Sequence, residues 1–258
     1  MDLGIKGLRV LVTAGASGIG LEISRTFLRE GAKVHICDVD QAALAAVAKS
    51  DPALTQSVCD VSDRAQVARL FDDALKRLGG LDCLVNNAGI AGPTGKVEEI
   101  NPEDWDRCLA IDITGQFNCV RLAVQHLKQS KNASIMNLSS QAGKHGFPLR
   151  SPYAAAKWGV IGFTKSIAME LGPYGIRVNA LLPGLVAGDR IRRVIEAKAQ
   201  QAGVAFKEQE AAMMRSVSLK DYVTPQQLAD MVVFTASPRS KTVSGQAISV
   251  CGDTNMLG

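Results

Sequence analysis

Thr13-Ala14-Gly15-Ala16-Ser17-Gly18-Ile19-Gly20 follows directly on an apolar run at 8–13 and leads into a helical pattern over 18–30. Glycines at 15, 18 and 20 let the backbone come close to a bulky anion. A helix that starts there adds unpaired N–H groups and positive potential. The order is Gly-x-x-Gly-x-Gly, unlike the commoner dinucleotide fingerprint. An ordinary tight strand-to-helix turn does not need three glycines within six residues. The stretch predicts an opening strand–turn–helix unit that cradles a pyrophosphate.

Short apolar runs and longer helical patterns then alternate to the end of the chain. Segments 8–13, 33–38, 81–86, 134–139, 177–182 and 247–250 read as strands, with 55–60 as a seventh. Most are near-continuous in Val, Ile and Leu, as parallel strands covered on both faces should be. Helical patterns fill 18–30, 41–49, 63–78, 102–128, 152–171 and 225–236. Asn101-Pro102-Glu103-Asp104 and Thr224-Pro225-Gln226-Gln227 open two of them, each with a cap residue, a proline in the first turn and a polar third residue. This order predicts an α/β fold: one domain over 1–258, a Rossmann-type doubly wound parallel sheet of about seven strands flanked by helices, with right-handed crossovers. Segment 185–222 is longer than a crossover needs. Two short helices there would form a substrate-covering insertion, a lid over a pocket.

Composition narrows the function. The 258 residues are 47% hydrophobic and 21% charged, with a formal charge of +4 and no block of like charge, so nucleic acid is not an expected partner. No apolar run reaches the roughly 18 residues of a membrane span. No basic-then-apolar leader is visible, which predicts a cytoplasmic protein. Six scattered cysteines without a Cys-x-x-Cys pair read as reduced, packed thiols, and three histidines without ligand spacing predict no metal site.

The chemistry is carried by Tyr153-Ala154-Ala155-Ala156-Lys157. Ser151 as cap and Pro152 in the first turn predict a helix start, which puts Tyr153 in that turn and Lys157 on the same face at i+4. A free phenol ionises near pH ~10. A tyrosine acting as a base near neutral pH needs the help of a neighbouring ammonium and of a helix N-terminus. Such a pair suits proton transfer on an alcohol or a carbonyl, although Tyr-x-x-x-Lys alone is also compatible with a surface helix bearing one half-buried aromatic. Asp38 closes the second strand. A carboxylate there can accept both hydroxyls of an adenosine ribose and repel a 2′-phosphate, and no Arg or Lys stands in the glycine turn, so NAD is favoured over NADP. A solvated strand-end residue is the alternative for Asp38.

The glycine turn, Asn86-Asn87-Ala88-Gly89 after a strand, Ser140 thirteen residues before Tyr153, Tyr153-x-x-x-Lys157 and Pro183-Gly184 come in one order. Together they resemble the short-chain dehydrogenase/reductase family. The resemblance implies Tyr153 as general base in oxidation or acid in reduction. Lys157 would hold the nicotinamide ribose, and Ser140 the substrate oxygen. It further implies that Thr13, Gly15, Ser17, Gly18, Ile19 and Gly20 contact the cofactor and that Asp60 and Val61 hold the adenine. Asn87, Ala88 and Gly89 would pass behind the cofactor, and Pro183, Gly184 and Val186 would flank the nicotinamide. Homodimers or homotetramers through 102–128 and 152–171 are implied too.

Two positions depart from the family. Ala14 replaces its first turn glycine, and the methyl group is expected to require a negative φ. Asp112, in Ile111-Asp112-Ile113-Thr114-Gly115, stands where the family has an asparagine that helps to hold a proton-relay water, partly through its main-chain carbonyl. A buried carboxylate near Lys157 should pair with it or take up a proton, leaving a relay with an altered pH profile. Asp112 is therefore counted with Ser140, Tyr153 and Lys157.

The substrate pocket should lie above the strand ends, between the loop after Ser140 and the insertion. Gln141, His145, Arg150 and Arg190 are its polar candidates, and several cations there suit a polar or anionic substrate, such as a sugar derivative or a hydroxy acid. Ile191, Val194 and Ile195 form an apolar stripe, so Arg192 and Arg193 fit equally well as its solvated face. Met213 and Met214 read first as core. Three functions stay open: NAD-dependent oxidation of a secondary alcohol, NADPH-dependent reduction of a 3-oxoacyl thioester, and a non-catalytic NAD-binding sensor or scaffold.

Overall fold

The structure, a computed structural model, describes residues 2–256. Seven parallel strands form one sheet: β1 (Arg9–Thr13), β2 (Lys33–Asp38), β3 (Thr55–Val58), β4 (Cys83–Asn86), β5 (Ser134–Leu138), β6 (Arg177–Pro183) and β7 (Ala247–Val250). Their order across the sheet is β3-β2-β1-β4-β5-β6-β7. The chain winds one way from β1 to β3 and the other way from β4 to β7. The two halves part between β1 and β4, where ligands of open α/β sheets bind, at the strand C-termini.

Both faces of the sheet are closed, and the alternation of side chains shows how. Val10, Val12, Cys83, Val85, Met136 and Leu138 pack on one side with Ile23 and Phe27 of α1 (Gly18–Arg29) and Leu228 and Val232 of a late helix. Leu11, Leu84 and Ile135, at the intervening positions, pack on the other with Leu70, Ala123 and Ile167. Strand residues at consecutive apolar positions are thus buried by helices on both faces. The other helices are α2 (Gln41–Ser50), α3 (Arg64–Leu78), α4 (Pro102–Leu109), α5 (Gly115–Leu127), α6 (Ser151–Leu171), α7 (Asp189–Ala202), α8 (Phe206–Arg215) and α9 (Pro225–Ala236). The caps read from sequence are made: Asn101 accepts from the Glu103 amide and Thr224 from that of Gln227.

Three local expectations are corrected. The pattern over 102–128 is not one regular helix, because α4 and α5 are joined by a wider π turn, Ala110–Thr114. That turn carries the buried Asp112, whose main-chain carbonyl accepts from Gln116 Nε2. Ser151 does not cap α6. The Ala154 amide already donates to the Arg150 carbonyl, so the helix begins one residue earlier, and Ser151 Oγ is buried without a partner among the described residues. Ala14 adopts φ +49°, not the negative value expected.

Segment 185–222 holds α7 and α8 and has a small core of its own: Leu185, Ile195, Met213 and Val217 are buried, with Ile191, Phe206, Met214 and Tyr222 against them. Its two ends are pinned where Val186 pairs in parallel with Val223. No helix among the described residues is long and apolar enough to cross a membrane, and no cluster of metal-ligating side chains occurs among them.

Candidate active site

A crevice of about 750 Å³ opens above the C-terminal ends of the strands, at the parting of β1 and β4. The glycine turn forms one wall through Ser17, Gly18, Ile19 and Gly20, with Ala14 beside them. At Gly20 a methyl group would stand 2.1 Å from the Ala14 carbonyl oxygen and 2.5 Å from Asn87 Nδ2, so only glycine fits. Ser17 lies at the cap position of α1 with no side-chain bond to the helix, which leaves the N–H groups of the first turn for a ligand. Asn87 fixes this wall by donating from Nδ2 to the carbonyls of Thr13 and Ala14.

Several predicted contacts support the wall from below and do not line it. Thr13 is buried, its hydroxyl accepting the amides of Asn87 and Ala88. The Gly15 amide donates to the Cys37 carbonyl. Asp38 accepts from the amides of Ala16 (3.2 Å) and Asp40 (3.1 Å), so its carboxylate is fixed at the edge of the turn. Asp60 accepts from the Ser62 amide and hydroxyl, and Val61 is buried against Gly115. The two stand next to each other beyond the end of β3.

The opposite wall brings Ser140, Tyr153 and Lys157 together with Gly89, Pro183, Gly184 and Val186. Ser139, which also borders the crevice, is buried and donates to the Lys157 carbonyl. Ser140 faces the crevice, although its oxygen also accepts from the Ala142 amide. Tyr153 is partly exposed and has no hydrogen-bond partner among the described residues. Lys157 Nζ lies 5.5 Å from the centre of the Tyr153 ring and donates to the Leu138 carbonyl at 3.1 Å. Asp112 lies behind it, outside the lining. One carboxylate oxygen accepts from the Ile90 amide at 2.7 Å and the other stands 3.4 Å from Lys157 Nζ. The pairing expected of a buried carboxylate is therefore made. Gln116 Nε2 bridges the Asp112 and Leu138 carbonyls, so the main-chain oxygen expected to hold a water already has a partner.

Of the four predicted substrate residues, Gln141, Arg150 and Arg190 line the crevice and His145 does not. Gln141 is buried and donates to the Leu182 carbonyl and Ser249 Oγ, tying the loop to the sheet. His145 faces a second, more open hollow together with Gly146, Pro148, Ser151 and Ala154. Arg150 and Arg190 line the crevice, with guanidinium carbons 5.3 Å and 5.9 Å from the centre of the Tyr153 ring. Burial holds the Arg150 pKa below the usual arginine value. The stretch Ile90–Ala91–Gly92 and Thr94 also line the site and were not anticipated. Gly92-Pro93 after Asn87-Ala88-Gly89 was the available sign of a loop turning back over the pocket.

A family model described as "Enoyl-(Acyl carrier protein) reductase" matches residues 13–253. The chain belongs to the short-chain dehydrogenase/reductase family. The 3-oxoacyl-(acyl-carrier-protein) reductase FabG of Thermotoga maritima is 34% identical over 252 residues, covering 96% of this chain and 98% of the relative. The structure of an NAD+-bound xylitol dehydrogenase superposes with a TM-score of 0.91 at 28% identity, over 96% of this chain and 99% of the other. A variant of actinorhodin polyketide ketoreductase with NADPH gives 0.90 at 32%, over 95% and 96%. This short-chain dehydrogenase/reductase is thus an oxidoreductase of secondary alcohols or ketones with a nicotinamide cofactor. The glycine cradle and the unbonded first turn of α1 fit such a group.

Proposed function

We propose that the protein is an NAD-dependent oxidoreductase that oxidises a secondary alcohol, a polyol, a sugar derivative or a hydroxy acid, with Tyr153 moving the proton. One observation carries the reading: Ser140, Tyr153 and Lys157 open into the same crevice as the glycine turn. A nicotinamide held in the crevice would supply the hydride acceptor for the carbinol carbon, or the hydride donor for a ketone. Tyr153 takes the hydroxyl proton in oxidation and gives it back in reduction. Lys157, fixed by the Leu138 carbonyl and Asp112, holds the nicotinamide ribose and lends its charge to the phenolate side of that exchange. Ser140 donates to the substrate oxygen while its own oxygen stays anchored on the Ala142 amide.

The glycine turn, with Thr13 and Asn87 behind it, holds the pyrophosphate, Asp60 and Val61 the adenine, and Gly89, Pro183, Gly184 and Val186 the nicotinamide end. Asp38 supports NAD over NADP, since its fixed carboxylate would face a 2′-phosphate with like charge. The insertion with α7 and α8 serves as the substrate cover of a single-domain, cytoplasmic enzyme. Phe117 on α5 and Trp158 and Met169 on α6 are exposed apolar side chains that favour pairing of copies into a dimer or tetramer.

Reduction of a 3-oxoacyl thioester with NADPH is the second reading, favoured by the reductase relative. One experiment separates the two: titrate NADH and NADPH for binding, then follow absorbance for polyols, sugars and hydroxy acids with NAD+ or NADP+ and for a 3-oxoacyl thioester with NADH or NADPH. NADH uptake and alcohol-dependent turnover are expected. Turnover confined to thioester and NADPH favours the second reading, and NADH binding without turnover on any substrate makes the protein a sensor.

A further inference from the structure

Two arginines inside this molecule are buried, and they are not alike. Arg177 is 7% exposed and fully engaged: its terminal nitrogens donate to Thr235, Ser240, Asn132 and Ala236. Arg150, at 2%, donates to one acceptor, the Ala91 carbonyl, and its Nε has no partner among the described residues. A structural arginine satisfies its fork, because unmet donors in a low-dielectric place are costly. Arg150 is held against that cost by the backbone. Leu149 before it adopts φ +65°, a strained value for a branched residue, and is tied through its carbonyl to the Gly95 amide.

The surroundings of Arg150 add positive charge. Arg190 reaches the same Tyr153 ring from the insertion and donates to the Gly89 carbonyl. Lys198 of α7 is 4% exposed, with Nζ 4.5 Å above the Phe147 ring, and Arg150 lies 5.4 Å from that ring. Burial, and then the charge of Arg150, push the Lys198 pKa down to about 8. None of these three cations has an ion-pair partner among the described residues, whereas Arg192 on the same helix is paired with Glu196. Asp112, the carboxylate whose field reaches Arg150, is already engaged by Lys157.

We propose that Arg150 and Arg190 receive an oxyanion of the substrate beside Tyr153, so that the enzyme acts on short hydroxy or oxo compounds carrying a carboxylate, sulfonate or phosphate in preference to neutral polyols and sugars. This rests on the dehydrogenase reading of the crevice and narrows its substrate class. Both guanidinium carbons lie within 6 Å of the Tyr153 ring, so the anion and the reacting hydroxyl are a few bonds apart. An anion there supplies the acceptor that Arg150 Nε lacks and relieves the repulsion between Arg150 and Lys198. A planar fork suits an oxyanion better than a point charge does.

The test is calorimetric titration of the NADH-loaded protein with malonate, methanesulfonate, inorganic phosphate and the uncharged malonamide. At least one anion should bind tenfold or more tighter than malonamide, and the tightest identifies the class. Arg150→Gln and Arg190→Gln should each weaken that anion at least tenfold. Should the buried Arg150 variant not fold, the exposed Arg190 variant decides. Equal binding of malonamide, no binding of any anion, or wild-type affinity in the folded variants overturns the proposal while leaving the dehydrogenase reading intact. Failure of the protein to take up NADH removes that reading itself, and the proposal with it.

Discussion

Lys157 and Asp112 form a buried ion pair, Nζ to carboxylate 3.4 Å, with side chains 3% and 0% exposed. The pair is completed on one side by the Leu138 carbonyl and on the other by the Ile90 amide. Removing one member of such a pair strands the other. Asp112→Asn keeps an oxygen for the Ile90 amide, and Lys157 keeps Leu138, so turnover should stay within about tenfold of wild type. Asp112→Leu loses both partners and should cost about 3–5 kcal/mol. Denaturant unfolding and steady-state turnover of the two variants check this. An asparagine variant as damaged as the leucine variant would contradict it.

The proposed preference for NAD rests on Asp38, whose carboxylate is fixed by the Ala16 and Asp40 amides. Asp38→Asn removes the charge and keeps an acceptor for one of those amides. NADPH affinity should improve about tenfold relative to NADH, roughly 1.4 kcal/mol. Fluorescence titration of both cofactors is the measurement, and a wild type that binds the two equally would remove Asp38 from this role.

Ala14 at φ +49° carries strain that glycine would not. Ala14→Gly should raise stability by about 1 kcal/mol, less whatever the more flexible unfolded chain takes back. A rise in the urea midpoint at constant slope is expected, and a fall would show that the methyl group has favourable contacts worth more than the strain.

His35 makes the fold sensitive to acid. Its ring is buried between Thr55 Oγ1 (2.8 Å) and Ser57 Oγ (3.0 Å), and burial, helped by the charge of Arg77, pushes its pKa down to about 4. The unfolded chain, near 6.5, then binds the proton more readily than the folded one. The stability contribution is whole above about pH 6.5 and is lost as pH falls toward 4, at most about 3 kcal/mol. In unfolding experiments from pH 7 to 4, wild type should lose about that much more stability than His35→Gln. Parallel losses would contradict the assignment.

Strand positions and the glycine turn were legible because both depend on local pattern: β1 and β4 carry the unbroken apolar runs Val10-Leu11-Val12 and Cys83-Leu84-Val85, and Gly18 and Gly20 sit where a helix opens. The Ser140, Tyr153 and Lys157 constellation was legible because a family spacing carries it. Features that arise when distant segments meet were not. The π turn at Asp112 depends on Ile90 and Lys157 arriving beside it, and the anchoring of the Gln141 amide depends on Leu182 and Ser249, far along the chain. The positive φ of Ala14 is imposed by Asn87 and Asp38, 73 and 24 residues away in the chain, gripping the turn from two sides. Arg150 was a pocket candidate by sequence, but its burial and its missing partner follow from the loop around Ala91 folding back over it.

The central claim is that the Tyr153 hydroxyl moves the proton in an oxidoreductase crevice. Its most direct test is Tyr153→Phe, assayed on the best substrate of the panel with NADH binding measured alongside. The phenyl ring keeps the wall of the crevice, so NADH should still bind within a few-fold of wild type, while kcat falls by about a thousandfold or more. Wild-type turnover in the phenylalanine enzyme would contradict the account.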